Sequence, residues 1–190
     1  METRTPTGRS VVYAKNGMAA TSQPYATLSA LDILREGGNA FDAAVAAAAV
    51  LNVVEPHSTG IGGDVFALFW WAETGELKGL NGSGRAPGAA SIEALRRLGH
   101  RTMPVENIHS ITTPGTLDGW TTLLEEYGRM DLARVLAPAI RLAEEGFAVS
   151  PVISGDWRAE REKLARDADA ARCFLTSGRA PAAGEIFRNP

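Results

Sequence analysis

The sequence predicts an α+β fold, and three features of its 190 residues indicate it. Residues 40–53, within AFDAAVAAAAVLNVV, are apolar on every side, as expected of a helix buried in a core. Residues 65–72 (VFALFWWA) form a short apolar run before a Glu-Thr-Gly-Glu turn, which is typical of a buried strand entering a hairpin. Residues 132–145 repeat apolar side chains at helical spacing. A chain of this length with both patterns is consistent with one mixed domain.

The remaining elements follow from turn and capping signals. Asn16-Gly17 predicts a turn after a short β-branched run, and Gly37-Gly38 ends the first helix. Asn39 is a suitable N-cap for the apolar helix, with Asp42 in its first turn. The predicted elements are a strand at 10–14 with its return at 18–21, hairpin strands at 65–72 and 77–80, and helices at 23–36, 40–53, 91–98, 116–127, 132–145 and 156–172.

Composition excludes several classes of function. A net charge of −3 with 22% charged residues gives no reason to expect a nucleic acid or an anionic membrane as partner. No apolar run reaches the roughly 18 residues of a membrane span or the pattern of a signal peptide, so we expect a cytoplasmic protein, the alternative being a periplasmic or secreted one from which a leader has been removed. The single cysteine, Cys173, excludes an intrachain disulfide and a cysteine zinc cluster, and we interpret it as a buried structural residue.

Two glycine-rich loops are the candidate ligand sites. The first loop (residues 57–64) precedes a strand rather than a helix and lacks the Lys-Ser/Thr of a phosphate loop. Asp64 at its end is interpreted as a turn residue that binds local amides, the alternative being a carboxylate at the floor of a site. The second loop (residues 81–87) carries Arg85 among small residues. Arg85 suits either bidentate capture of a carboxylate or a surface ion pair.

No catalytic group emerges from the residues alone. His57, His100 and His109 lack metal-ligand spacing, so no metal or other cofactor is expected. His57 is the histidine best placed for a site, because it lies beside a glycine-rich loop. The sequence contains no GxSxG nucleophile motif, and Cys173 has no evident partner. The residues therefore predict a scaffold with two ligand loops.

Five sequence blocks resemble those of the γ-glutamyltranspeptidases. They occur in the family's order and cover most of the chain from Gly17 to about Pro151. The blocks are GMAATS at 17–22, ILREGGNAFDAAV at 33–45, VVEPHSTGIGG at 53–63, TPGTLDGW at 113–120 and LAPAIRLAEEGF at 136–147. The combination of GGNAxDAAVA with VVEPxxxGIGG is specific to this family.

The resemblance implies an N-terminal-nucleophile hydrolase fold, an αββα sandwich, of which residues 1–190 supply a single incomplete large-subunit domain. It implies a precursor that cuts itself, with a C-terminal small subunit as partner and a threonine at that subunit's new N-terminus as nucleophile. The threonine's own α-amine can act as base. The nucleophile is expected beyond residue 190, and this portion alone is expected to be inactive. Thr59, Thr112 and Thr113 have their amines in peptide bonds.

The second loop departs from the family pattern. The family's R-E-x-A-P arginine binds the substrate α-carboxylate, and alignment on Ala86-Pro87 places it at Ser83. Arg85 lies two residues later, about 6.5 Å along an extended chain and on the same face. Ser83 and Arg85 are therefore the candidate substrate-binding residues. Asp64 is a second departure, at a position where many relatives have glycine.

The implied activity is acyl transfer from a γ-glutamyl amide such as glutathione to water or an amine. The altered second loop leaves an alternative open, a glutaryl or cephalosporin acylase-like amidohydrolase. A third possibility is a structural fragment without catalytic activity. The expected ligand is a γ-glutamyl or related acyl amide in the first two cases.

Overall fold

The computed structural model describes residues 11–189 and confirms the predicted α+β class. Among its helices, none combines the length and apolar character that crossing a membrane requires. In chain order the elements are α1 (Pro24–Arg35), α2 (Ala40–Val54), β1 (Val65–Trp71), β2 (Glu76–Gly82), α3 (Ile92–Arg97), a 3-10 turn (Ile108–Ser110), α4 (Thr116–Tyr127), α5 (Leu132–Glu145), β3 (Phe147–Ala148), α6 (Pro151–Ala159), α7 (Arg161–Leu164), α8 (Ala168–Phe174) and β4 (Ile186–Phe187).

Helix α2 is the centre of the core, as its sequence predicts. The Asn39 side chain accepts the backbone N–H groups of Phe41 and Asp42, and the Asp42 carboxylate accepts the N–H of Asn39 at 2.7 Å. This reciprocal cap satisfies donors that the first helical turn leaves free. Helices α1 and α5 pack against α2. The alanines of α2 permit this close approach, and most of them are buried.

Strands β1 and β2 form the predicted antiparallel hairpin, with Val65 opposite Gly82 and Trp71 opposite Glu76. Alternate side chains of β1 face the helical layer of α2 and α4. There, the rings of Phe41 and Phe69 meet edge to face with centroids 4.9 Å apart. The hairpin and these helices therefore make one helix layer packed on one sheet.

The prediction that 65–72 is a buried strand is wrong for one of its faces. Phe66, Leu68 and Trp70 are 68%, 75% and 63% exposed. The hairpin is covered by helices on one side only, and no described residue packs over the other. We call the surface formed by Phe66, Leu68, Trp70 and the neighbouring Leu77 the open sheet face.

Two other predicted elements differ from the structure. Residues 11–21 contain no strand, so the hairpin predicted at 10–14 and 18–21 is wrong within them; residue 10 lies outside the described range. Val11, Val12 and Tyr13 are exposed, and a strand needs a neighbour to complete its ladder. The single helix predicted at 156–172 is instead three short helices, α6 to α8. Local capping divides them, since Asp167 accepts the N–H of Ala170 and starts α8 anew.

The last quarter of the chain packs around Trp157. Its side chain is 1% exposed, its ring centroid lies 4.7 Å from that of Phe187, and its Nε1 donates to the carbonyl of Phe174 at 2.9 Å. Strands β3 and β4 pair antiparallel beside it. Cys173, on α8, is half-buried rather than buried. Helices α4 and α5 match their predicted bounds, and α5 continues through the buried Pro138.

Candidate functional site

The two glycine-rich loops meet at one end of the hairpin, together with the segment that leads into α4. The carbonyl of Gly63 accepts the N–H groups of Gly115 and Thr116, each at 3.0 Å. The carbonyl of Arg85 accepts the N–H of Thr113 at 3.1 Å. The first loop, the second loop and residues 112–115, which we call the α4 approach segment, are thus joined through backbone hydrogen bonds.

Asp64 connects these segments through its side chain, which corrects its interpretation as a local turn residue. Its Oδ1 accepts the N–H of Gly84 at 3.2 Å and the hydroxyl of Thr112 at 2.9 Å. Its Oδ2 lies 3.5 Å from the hydroxyl of Ser83. All three partners are distant in sequence, so spacing within the first loop could not reveal them.

Gly84 is required by the close approach of the second loop to the α4 approach segment. A Cβ atom at this position would collide with the backbone carbonyl of Thr113. Gly115 is similarly close to the carbonyl of Gly82. Glycine allows backbone to approach backbone in this way because it has no side chain. The small residues of the second loop therefore allow close packing of the backbone, in addition to leaving room for a ligand.

Ser83 and Arg85, the predicted substrate-binding residues, lie on the same exposed loop. The N–H of Ser83 donates to Asn81 Oδ1 at 2.9 Å, and its hydroxyl faces Asp64. Within residues 11–189, the guanidinium of Arg85 makes no ion pair or hydrogen bond. The alternative of a structural ion pair for Arg85 has no support among these residues.

The histidines lie away from this arrangement. His57 Nε2 is 3.6 Å from Asp156 Oδ2, and the His57 side chain lines a small cavity of about 160 Å³ with Trp157 and Phe174. The rings of His100 and His109 contact each other with centroids 6.0 Å apart. Across the described part of the chain, no three His, Cys, Asp or Glu side chains gather as a metal ion would need.

A cavity of about 360 Å³ opens beside the first loop, and sequence reasoning missed two of its polar residues. Asn52 Nδ2 and Thr116 Oγ1 are buried and have no hydrogen-bond partner among the described residues. Asn52 could have been noticed as the lone uncharged polar side chain in the apolar helix α2. The residues that line this cavity include Leu51, Asn52, Gly63, Asp64, Thr116 and Trp120.

Comparison with known proteins shows which protein family and which solved structures the chain is similar to. The gamma-glutamyltranspeptidase family model matches residues 26–190. A glutathione hydrolase-like YwrD proenzyme of Bacillus subtilis is 45% identical over 156 residues, or 82% of this chain and 29% of that protein. The cephalosporin acylase from Bacillus halodurans superimposes with a TM-score of 0.89 at 47% identity, over 96% of this chain and 35% of that one. For the Helicobacter pylori gamma-glutamyltranspeptidase the TM-score is 0.87 at 30% identity, over 95% and 52%.

These structures have the N-terminal-nucleophile hydrolase fold, which is the fold that the sequence blocks implied. The chain belongs to the gamma-glutamyltranspeptidase family, a family of hydrolases and acyl transferases. It spans about three-tenths of the length of the curated relatives it matches, with 29% and 30% covered in two of them.

Proposed function

We propose that the full-length protein is an amidohydrolase and acyltransferase that cleaves γ-glutamyl amides such as glutathione. The observation that carries this proposal is Arg85: an exposed cation without an ion pair in the described range, on a loop joined to both neighbouring segments. A planar guanidinium binds a carboxylate bidentately, and the γ-glutamyl group ends in one. The large-subunit portion would thus supply one wall of the acyl pocket.

The chemistry would take place on an N-terminal threonine outside this chain. Its hydroxyl oxygen attacks the amide carbonyl while its α-amine takes the hydroxyl proton. The C–N bond breaks, the proton passes to the departing amine, and the acyl group remains as an ester. Water or an acceptor amine then attacks the ester and restores the hydroxyl. No described residue is assigned a part in these bond changes.

A glutaryl or cephalosporin acylase-type activity is the second candidate, and the similarity to the cephalosporin acylase from Bacillus halodurans favours it. Ser83, which stands where the family's carboxylate-binding arginine is expected, does not separate the two candidates. The glutaryl and γ-glutamyl groups both end in a carboxylate and differ by a single α-ammonium. The choice between the two candidates is therefore a question about recognition of that ammonium.

The open sheet face supports a small-subunit partner from the same precursor. An apolar sheet face with four large side chains more than 60% exposed is costly to leave in water. In an αββα sandwich a second sheet packs against such a face. We propose that the remainder of the protein covers Phe66, Leu68 and Trp70, which also brings the nucleophile to the end of the hairpin where Arg85 lies.

Three substrates test the proposal on the purified full-length protein: γ-glutamyl, glutaryl and pentanoyl p-nitroanilide, each followed by release of p-nitroaniline. Glutaryl lacks only the ammonium of γ-glutamyl, and pentanoyl lacks the carboxylate as well. We expect the highest kcat/KM for the γ-glutamyl compound and the lowest for the pentanoyl compound. Turnover of the glutaryl compound alone would establish the second candidate. No turnover of any compound by protein that has separated into two subunits would contradict both.

A further inference from the structure

The carboxylate of Asp64 is the side-chain link between the first loop, the second loop and the α4 approach segment. Oδ1 accepts two hydrogen bonds, from the N–H of Gly84 at 3.2 Å and from the hydroxyl of Thr112 at 2.9 Å. Oδ2 lies 3.5 Å from the Ser83 hydroxyl. One side chain thereby contacts two segments that are themselves 28 residues apart, by the positions of Gly84 and Thr112 in the sequence.

The second loop depends on such links because it begins where the sheet ladder ends. Strand β2 stops at Gly82, opposite Val65, so residues 83–85 receive no ladder hydrogen bonds. Apart from Asp64, the described hydrogen bonds to these residues are one from Ser83 N–H to the nearby Asn81 and one from Thr113 N–H to the Arg85 carbonyl. Gly84 also abuts the carbonyl of Thr113, which limits movement in that direction.

We propose that Asp64 is a positioning residue for substrate binding, which holds Gly84 and Thr112 so that Arg85 meets the carboxylate of the acyl group. This inference rests on the proposed function, because it assigns Arg85 a substrate contact. Asp64 itself does not touch the substrate in this scheme. It acts as a hydrogen-bond acceptor, since the N–H of Gly84 and the hydroxyl of Thr112 both donate to its Oδ1.

The acceptor role can be separated from a role of the negative charge. Asp64→Asn removes the charge and keeps an amide oxygen that can accept from Gly84 and Thr112. Asp64→Ala removes the charge and both acceptors. If Asp64 positions the loop through hydrogen bonds, the asparagine variant should keep the wild-type KM for the γ-glutamyl compound and the alanine variant should have a higher KM. A charge effect on substrate would alter both variants alike.

The experiment uses the full-length protein and the γ-glutamyl and pentanoyl p-nitroanilides. For Asp64→Ala we expect a KM for the γ-glutamyl compound raised about tenfold, with kcat changed by no more than about threefold. Asp64→Asn should stay within about twofold of wild type in KM. The matched control is Asp118→Ala, which removes an exposed carboxylate near the start of α4 with no described hydrogen bond. An unchanged KM in Asp64→Ala, or equal changes in the alanine and asparagine variants, would overturn the proposal.

Hydrogen exchange at residues 83–87 supplies a readout that does not require activity. Loss of the Asp64 acceptor should speed exchange in this segment in Asp64→Ala but not in Asp64→Asn, while the amides of α2 keep their protection. If the wild-type protein turns over none of the substrates, the proposed function fails and this readout still decides whether Asp64 positions the loop. Wild-type exchange at 83–87 in the alanine variant would reject the positioning role.

Discussion

The carboxylate of Asp42 accepts the backbone N–H of Arg129, 87 residues further along the chain, with Oδ1 at 3.0 Å. The same oxygen accepts the N–H of Met130 at 3.2 Å, and Oδ2 accepts that of Asn39 at 2.7 Å. Asp42 has no exposed surface. The start of α2 is therefore joined to the turn between α4 and α5, which places the helical layer under the hairpin that carries the candidate site.

Replacing Asp42 should destabilise the fold. Asp42→Ala removes the buried carboxylate that accepts the N–H groups of Asn39, Arg129 and Met130, so we expect the free energy of unfolding to fall by about 3 kcal/mol. Urea denaturation of the full-length protein measures this change. Asp118→Ala, which removes an exposed carboxylate, is the control and should have little effect. Equal losses of stability in the two variants would show that the hydrogen bonds of Asp42 do not stabilise the protein.

A methyl group at Gly84 should displace the second loop. The Cβ of Gly84→Ala would collide with the carbonyl of Thr113, so we expect a stability loss of about 1–3 kcal/mol together with a higher KM for the γ-glutamyl compound. Gly88→Ala is the matched control, because nothing lies within 4 Å of a Cβ there. Thermal unfolding and steady-state kinetics measure the two effects. Wild-type behaviour of Gly84→Ala would mean that the loop lies further from Thr113 than the structure indicates.

A charge on the open sheet face should impair assembly of the full-length protein. Leu68→Lys introduces an ammonium group into the surface that we propose the remainder of the protein covers, and burying it there without a partner is costly. We expect less protein to separate into two subunits on a denaturing gel. Val152→Lys, at a similarly exposed residue on α6, should mature normally. Unimpaired maturation of Leu68→Lys would place the open sheet face on the outside of the enzyme.

The turn between α8 and β4 should lose stability in acid. The pKa of Glu185 is lowered by its hydrogen bond from the Arg179 side chain and by the backbone N–H of Ala182. A lowered folded-state pKa stabilises the fold above the ordinary glutamate value, about 4.3, and this contribution is lost as the pH falls through the lowered value. The stability difference between wild type and Glu185→Gln should therefore be larger at neutral pH than at about pH 3, as measured by urea denaturation. A difference that does not change with pH would contradict the role of this carboxylate.

The parts of the fold that the sequence predicted correctly depend on neighbours in the chain. The Asn39–Asp42 cap and the bounds of α4 and α5 follow from local capping and periodicity. The contact of Asp42 with Arg129 could not be predicted, because it is formed by packing between distant helices. Burial of β1 was predicted from its apolar run, yet its second face is exposed among the described residues, because the coverage of a sheet face depends on packing and not on the strand's own sequence.

In the candidate site, too, local features could be predicted from the sequence, and contacts between distant residues could not. Arg85 and Ser83 were predicted to bind substrate from residue type and from the Ala-Pro alignment; the structure places them on one exposed loop, and their role stays a prediction. Asp64 was interpreted as a local turn residue because its partners, Gly84 and Thr112, are close only in the folded chain. The unpartnered polar atoms of Asn52 and Thr116 have no signature in local spacing, apart from the rarity of a polar residue in α2.

The most direct test of the proposed function is the KM of Arg85→Ala in the full-length protein, measured with γ-glutamyl and pentanoyl p-nitroanilide. Loss of a bidentate carboxylate contact should raise the KM for the γ-glutamyl compound about tenfold or more and leave that for the pentanoyl compound unchanged. Arg85→Lys keeps the charge without the planar fork, so its KM for the γ-glutamyl compound should lie between those of the wild type and Arg85→Ala. An unchanged KM for the γ-glutamyl compound, or equal increases for both compounds, would contradict the assignment of Arg85 to the substrate carboxylate.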